Sequence, residues 1–343
     1  MNDEQTKKKL GQFYTTNCEY ILTGMDMDPS IVVIEPFTGT GELVDYSIKK
    51  FGVSKFDLYD IDPKYTNINV VKLDTLLHPP SFSNKFVLTN PPYLARNKNK
   101  DKVLYDKYDV NDLYKCFIKI MTINCCVGGI IIVPLNFWCS IRNSDKLLRK
   151  EFLKIYKVLR VNVFEENVFD DTSYSVCSFS FEKRDFCPET VKIPFYFFPS
   201  KTKINIDFTL SDCVIGSEIY EKTVSGYKVD RSVSGIPNTN ILVSALDSGC
   251  FNGKRINLSL SYDKISTKHS DRTFATLNIY PEITLETQKY VIEKFNEYIE
   301  DQRIKYNSLF LSNYRESKDY PRKRISFGLV YSIVIKILND CYN

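Results

Sequence analysis

Two histidines, His78 and His269, are all that 343 residues contain, and they fall in separate regions. A histidine-activated nucleophile or a metal held by several imidazoles is nearly excluded by that count. The ten cysteines include no C-x-x-C pair, and Cys125 and Cys126 are adjacent with apolar flanks. They read as core thiols in a reducing compartment, and no metal is expected. No apolar run approaches the roughly 18 residues that would suggest a membrane span. The opening MNDEQTKKKL is polar and lacks the apolar stretch of a secretory signal. The expectation is a cytoplasmic protein with no membrane partner. Internal repeats and low-complexity segments are also absent.

What is present is a chain long enough for two domains, 43% hydrophobic, with a net charge of +4 and a pI of about 8.3. That balance permits a polyanionic partner without requiring one. There are 23 Tyr and 23 Phe against a single Trp, which suits stacking on bases as well as ordinary cores.

The chain is organised around Thr89-Asn90-Pro91-Pro92-Tyr93. It follows Phe86-Val87-Leu88, an apolar run that reads as a buried strand. Two prolines after a strand remove backbone donors and prevent a helix from starting. Carbonyls near them stay free, and the Asn and Tyr side chains stand at a rigid strand end. Such a site can grip a planar, amine-bearing group: Asn90 and a proline carbonyl accept from one NH2, and Tyr93 stacks on its plane. A proline turn beside a core tyrosine fits the same five residues.

A second anchor lies upstream in residues 31–44. Ile31 to Ile34 is a β-branched run typical of a central parallel strand. Gly39 and Gly41 then let the backbone approach a ligand, and Glu42 opens a helix. This strand, turn and helix place a ligand at the strand's carboxyl end. The turn is not G-x-G-x-x-G and has no P-loop lysine. Glu35 before it repels pyrophosphate and suits a positively charged ligand. Residues 56–62 read as a second strand with Asp60 at its end, placed to hold ribose hydroxyls or to sit as a solvated turn acid. Residues 70–74 read as a third, ending at Asp74, an acceptor for an adenine amine. Ahead of all these, residues 10–17 form a turn into a helix capped by Thr16 or Asn17.

Past the charged, mobile-looking stretch 96–109, a helix is expected over 111–126, carrying Phe117 in its apolar stripe, with Gly128-Gly129 ending it. A strand over 130–134, a helix over 144–156 and strands over 158–164 and 174–182 follow, with Phe169 in the intervening loop. The alternation indicates an α/β doubly wound domain over 1–182. A linker near 183–188 introduces a second domain, 183–343, of mixed α/β character. Short β-like runs fill 190–265, and helices are expected over 284–305 and 325–338. Between 301 and 324 seven basic residues face three acids, with tyrosines interleaved. Arg315, Arg322, Lys323 and Arg324 can track a phosphate backbone; a solvated surface around a helical hairpin fits equally.

Gly11-Gln12-Phe13-Tyr14-Thr15-Thr16, Glu35-Pro36-Phe37-Thr38-Gly39-Thr40-Gly41, Asp60-Ile61-Asp62-Pro63, Asp74 and Asn90-Pro91-Pro92-Tyr93 occur in one order. That order resembles S-adenosylmethionine-dependent DNA adenine-N6 methyltransferases of the γ arrangement, in which target recognition comes last. The likeness runs on through Asp112-Leu113-Tyr114 with Phe117 and through Asn167-Val168-Phe169. The second half is similar to recognition domains of small restriction–modification enzymes, including those of large algal DNA viruses. Phe37 stands where a smaller residue is more usual, and Asp60 where Glu is common.

The resemblance implies a Rossmann-like catalytic domain and S-adenosyl-L-methionine as cofactor. It implies cofactor contacts from Thr15, Glu35, Phe37, Gly39, Gly41, Asp60, Ile61, Asp74 and Phe117. Catalysis falls to Asn90, Pro91, Pro92 and Tyr93, with Tyr93 and Phe169 stacking on a flipped adenine. The implied partner is double-stranded DNA, bound by a monomer. A cognate restriction endonuclease on the same site, without a stable complex, is an allowed partner, and a viral source places the protein in the host nucleus. RNA adenine, a protein glutamine amide and an inactive DNA-binding role are the alternatives.

Overall fold

The structure is a computed structural model of the chain. It describes residues 15–169, 175–221, 226–247, 255–263, 273–314 and 322–342. The chain divides into two compact units, Met1–Val214 and Ile215–Asn343.

The first unit opens with a short helix α1 (Cys18–Ile21), whose N-cap Asn17 accepts from the Tyr20 N–H. Strand β1 (Val32–Glu35) then leads through the glycine turn to helix α2 (Glu42–Phe51). Gly41 caps α2 at φ +88° and Gly52 ends it at φ +74°. Glu42 and Asp45 sit in its first turn and Lys49 and Lys50 in its last, matching the helix dipole. Strands β2 (Phe56–Asp60), β3 (Val71–Lys72) and β4 (Lys85–Thr89) follow. After a single 3-10 turn at Arg96–Lys98 come α3 (Val103–Tyr108), α4 (Leu113–Ile123) and β5 (Gly128–Pro134). The unit continues with α5 (Asn136–Cys139), α6 (Asn143–Ile155), β6 (Tyr156–Phe164), β7 (Val176–Lys183), β8 (Thr190–Phe198) and β9 (Lys203–Thr209).

All nine strands join one sheet in the order β3-β2-β1-β4-β5-β7-β6-β8-β9. The 3-2-1-4-5 portion is parallel and doubly wound, with its topological switch between β1 and β4. β7 enters antiparallel between β5 and β6. The fold is Rossmann-like, as the sequence indicated.

Three expectations need correction. Gly128 and Gly129 do not end a helix; Asn124 does that, and both glycines lie inside β5. A Cβ on Gly128 would meet the Phe181 carbonyl at 2.6 Å, and one on Gly129 the Val87 carbonyl at 2.5 Å. Their role is close strand approach. Stretch 96–109 is a structured excursion that contains α3, with Tyr105 and Tyr108 buried. The boundary at 182/183 falls inside the sheet, because β8 pairs with β6 and β9 with β8. Trp138, wholly buried, packs on Phe195 of β8 and Phe208 of β9 at 5.8 Å each. These contacts bind residues 190–209 to the first unit.

The second unit holds an antiparallel sheet ordered β10-β13-β11-β12, from β10 (Lys228–Arg231), β11 (Ile241–Ser244), β12 (Asn257–Leu260) and β13 (Phe274–Tyr280). Helix α7 (Leu285–Tyr306) packs on β12, and helix α8 (Phe327–Tyr342) packs on α7 and β10. Strands β14 (Ser312–Tyr314) and β15 (Arg322–Arg324) form a separate pair. Among the described residues no helix is long and apolar enough to cross a membrane.

Candidate active site

A cleft of 340 Å³ opens in the first unit, within the range of about 300–1,000 Å³ usual for small-ligand sites. It lies where β1 and β4 separate. The turn after β1 contributes Phe37, Thr38 and Gly39; the ends of β2 and β3 contribute Asp60, Ile61 and Asp74; the segment after β4 contributes Asn90 and Pro92. The Rossmann topology predicts a ligand at this switch. Sequence segments from Thr15 to Leu113 thus share one chamber.

Among the described residues the walls carry four acids, Glu42, Asp60, Asp74 and Asp101, and no Lys, Arg or His. Such a lining disfavours a phosphate-bearing ligand and favours a cationic one. Asp60 is buried, and its two oxygens accept the N–H groups of Gly39 and Asp62 at 2.8 Å each. It therefore shapes the glycine turn, while each oxygen keeps a second lone pair. Asp74 Oδ1 accepts from the N–H groups of Leu76 and Leu77 at 3.1 Å each.

Glu35 does not face the cleft directly. It is 1% exposed beneath the turn, where Oε1 accepts from the Phe37 N–H at 3.0 Å and the Thr89 hydroxyl at 2.5 Å. Oε2 is buried with no hydrogen-bond partner among the described residues. Burial pushes the carboxyl up to about 8, opposed by those two hydrogen bonds and assisted by the Asp60 charge.

Asn90 lines the cleft with Thr15, and its Nδ2 donates to Thr15 Oγ1 at 3.1 Å. The amide is thereby oriented. The Tyr93 hydroxyl lies within bonding reach of Asn90 Oδ1 and of the Ile132 carbonyl at 2.9 Å. A phenol has one proton for these two acceptors, so Oδ1 retains acceptor capacity.

Not every expected site residue lies on the wall. Phe117 is fully buried, edge-on to Phe37 at 5.2 Å and to Phe82 at 6.0 Å. The aromatic face presented to the cleft belongs to Phe37, with Phe117 behind it. Gly41 is packed against Tyr65, where a Cβ would meet the ring at 2.1 Å. Pro91 is buried. Tyr93 and Phe169 are 2% and 4% exposed, and Tyr93 meets Tyr114 edge-on at 6.1 Å. Residues 11–14 and Arg315 lie outside the described residues. Arg322, Lys323 and Arg324 form β15, and Lys323 Nζ donates to the Asn307 carbonyl at 3.4 Å.

The sequence reading missed Thr38, Glu42, Leu43, Leu73, Thr75, Leu76, Leu94, Asn99, Asp101, Leu104 and Leu113 as wall residues. The apolar Val103-Leu104-Tyr105 beside Tyr108 was a signal for the short helix that brings Leu104 there.

No family model matches the chain. Over 169 residues it is 27% identical to Modification methylase CviBIII of Paramecium bursaria Chlorella virus NC1A. That alignment covers 44% of this chain and 42% of the relative, so it spans about four-tenths of the relative's length. Among solved structures, the type I restriction-modification methyltransferase subunit from Streptococcus thermophilus aligns over 57% of this chain and 48% of its own, with a TM-score of 0.44 and 15% identity. A modification subunit assigned to a type I restriction enzyme of Vibrio vulnificus YJ016 aligns over 60% and 58%, with a TM-score of 0.44 and 14% identity.

Proposed function

We propose that this chain is an S-adenosylmethionine-dependent DNA methyltransferase that modifies N6 of adenine. One observation carries the reading: a cleft at the switch point joins the Gly39 turn, Asp60 and Asp74 to Asn90 and Pro92, with no cation on its walls among the described residues. The similarity to a viral modification methylase and the order of the sequence motifs support it.

The donor set fits S-adenosylmethionine, whose sulfonium and ammonium suit acidic walls. When bound, this cofactor supplies an electrophilic methyl group. Asp74 is the acceptor for its adenine amine, Asp60 for ribose hydroxyls, and Phe37 the ring that packs on the purine, with Phe117 supporting Phe37. Ile61 and Thr15 complete the walls. Gly39 allows close backbone approach, and Gly41 holds the turn's shape. The buried Glu35 supports the turn from beneath through the Phe37 N–H and the Thr89 hydroxyl.

The exocyclic amine of adenine is a poor nucleophile because its lone pair is delocalised into the ring. Asn90 Oδ1 and the Pro91 carbonyl accept its two hydrogens and draw the nitrogen towards tetrahedral geometry. Pro92 keeps this segment extended. The freed lone pair would take up the methyl group that the cofactor supplies, and the amine would give up one proton to bulk water. A base within a duplex reaches the cleft only when flipped, which costs a few kcal/mol. Stacking on Tyr93 and Phe169 returns part of that, about 1–3 kcal/mol per stacked base. For Tyr93 to present its face, its hydroxyl leaves Asn90 and Ile132, and the same movement frees Asn90 Oδ1. The second unit is the proposed recognition part, with Arg315, Arg322, Lys323 and Arg324 as its proposed phosphate contacts.

The test is transfer of labelled methyl to unmethylated duplex DNA and to total RNA side by side, followed by nucleoside analysis. Label in N6-methyladenine from DNA is the expected result. Label confined to RNA would overturn the substrate, and label at cytosine would overturn the base.

A further inference from the structure

A different electrostatic character begins at the mouth of the cleft. After Tyr93 the chain makes an excursion closed at its base by a β-bridge between Ala95 and Asp112. The Arg96 N–H donates to the Asn111 carbonyl at 2.9 Å, and the Leu113 N–H to the Leu94 carbonyl at 3.2 Å. Inside, Lys102 Nζ donates to the carbonyls of Arg96 and Asn99. Asn99 Nδ2 donates to the Tyr105 hydroxyl at 3.3 Å, and that hydroxyl donates to the Leu94 carbonyl at 2.9 Å. The 96–102 turn is therefore held in shape from within, and Asn99 and Asp101 border the cleft.

Five cations lie in this excursion. Arg96 pairs with Asp106, Lys102 is engaged as above, and Lys107 donates to the Leu77 carbonyl at 3.2 Å. Lys98 and Lys100 differ. Both are exposed, they flank Asn99, and among the described residues neither side-chain ammonium has a bonding partner. The rim thus carries two unneutralised ammonium groups above walls whose charged side chains, among the described residues, are all acids. An anion is attracted to the rim and repelled from the interior. The partner that satisfies both is a polyanion that inserts one neutral aromatic group and keeps its charges outside.

We propose that the 96–102 turn is a phosphate clamp, in which Lys98 and Lys100 hold the backbone of the strand whose base enters the cleft. This rests on the DNA-methyltransferase reading and adds the strand contact beside the reacting base. It places two of the protein's phosphate contacts in the first unit, on residues that flank Asn99 but do not line the cleft.

The experiment measures binding of the full chain to a labelled mixed-sequence duplex between about 50 and 200 mM salt, with methyl transfer and cofactor binding alongside. The K98A/K100A variant is compared with the parent and with K49A/K154A, which removes two exposed cations that do not border the cleft. Each lost phosphate contact flattens the slope of log K against log salt by about 0.9, so the rim pair flattens it by about 1.8 and weakens binding on the order of tenfold. Cofactor binding stays at the parent value, and the remote pair changes the slope by less than half as much as the rim pair. An unchanged slope in K98A/K100A, or an equal loss in K49A/K154A, overturns the clamp while DNA methylation by the parent leaves the methyltransferase reading standing. A parent that neither binds nor methylates DNA overturns both.

Discussion

Thr15 and Asn90 stand 75 positions apart in sequence and 3.1 Å apart at the cleft. An asparagine amide can turn over, and only one orientation aims Oδ1 as an acceptor for a substrate amine. The bond from Nδ2 to Thr15 selects that orientation. Replacing Thr15 by Val removes the acceptor and keeps the shape. A neutral hydrogen bond contributes about 1 kcal/mol, so the methyl-transfer rate constant is expected to fall about five- to tenfold with cofactor affinity held, and Thr15→Ser to restore it. A loss confined to cofactor affinity would make Thr15 a cofactor contact alone. Glu35 supplies a second residue-scale test. Its folded carboxyl titrates near 8 against an ordinary 4.5, mainly through burial. Between those values the folded chain holds a proton that the unfolded chain has released, so this group's contribution to stability declines as pH rises, by about 1.4 kcal/mol per unit. Unfolding midpoints of Glu35→Gln, relative to the parent, are expected to improve from about pH 5 to about pH 8 and then level off. A difference that stays constant over that range would show that Glu35 does not titrate there.

At the scale of elements, the turn between β1 and α2 is the tightest point of the site. Gly41 has φ +88°, and the ring of Tyr65 fills the space where a side chain would begin. Tyr65 in turn packs with Val44 and Leu58, so it has little freedom to retreat. The left-handed backbone costs a non-glycine residue about 1–2 kcal/mol and overpacking about 1–3 more. Gly41→Ala is therefore expected to lose roughly 2–5 kcal/mol of stability and to weaken cofactor binding. Calorimetric unfolding beside a cofactor titration checks both, and parent-like values would show that the Tyr65 ring can move aside. This turn was legible in the sequence because its glycines and the β-branched run before them serve local geometry. Phe117 was harder to place: its helical stripe fixes which face is buried, but nothing local says that Phe37 intervenes between it and the cleft. The excursion at 96–109 was misread for a related reason. Its lysines gave a mobile appearance, while its order comes from side-chain bonds to backbone carbonyls, made by Lys102 and Tyr105, that leave no periodic pattern.

At the scale of the whole molecule, the extent of the first unit depends on strands that composition alone assigned elsewhere. Residues after 183 resemble a linker because Lys183-Arg184-Asp185 and Pro188 interrupt the apolar pattern. Yet β8 alternates buried Val191, Ile193, Phe195 and Phe197 with more exposed neighbours, and β9 buries Ile206 and Phe208. A long-range parallel pairing of β8 with β6 decides their place, and such pairing leaves no trace in either strand alone. Cutting the chain at 182 would bare the β6 edge and strip Trp138 of Phe195 and Phe208. Each large apolar side chain returned to water costs about 1.5–3 kcal/mol, and an open edge invites aggregation. Several such losses equal the whole stability of an ordinary domain, about 5–15 kcal/mol. A fragment of residues 1–214 is therefore expected to unfold cooperatively and to bind S-adenosylmethionine, while 1–182 aggregates or stays unfolded. Circular dichroism melts and cofactor titration of the two fragments decide it. A folded, cofactor-binding 1–182 would show that β8 and β9 are an appendage rather than part of the catalytic core.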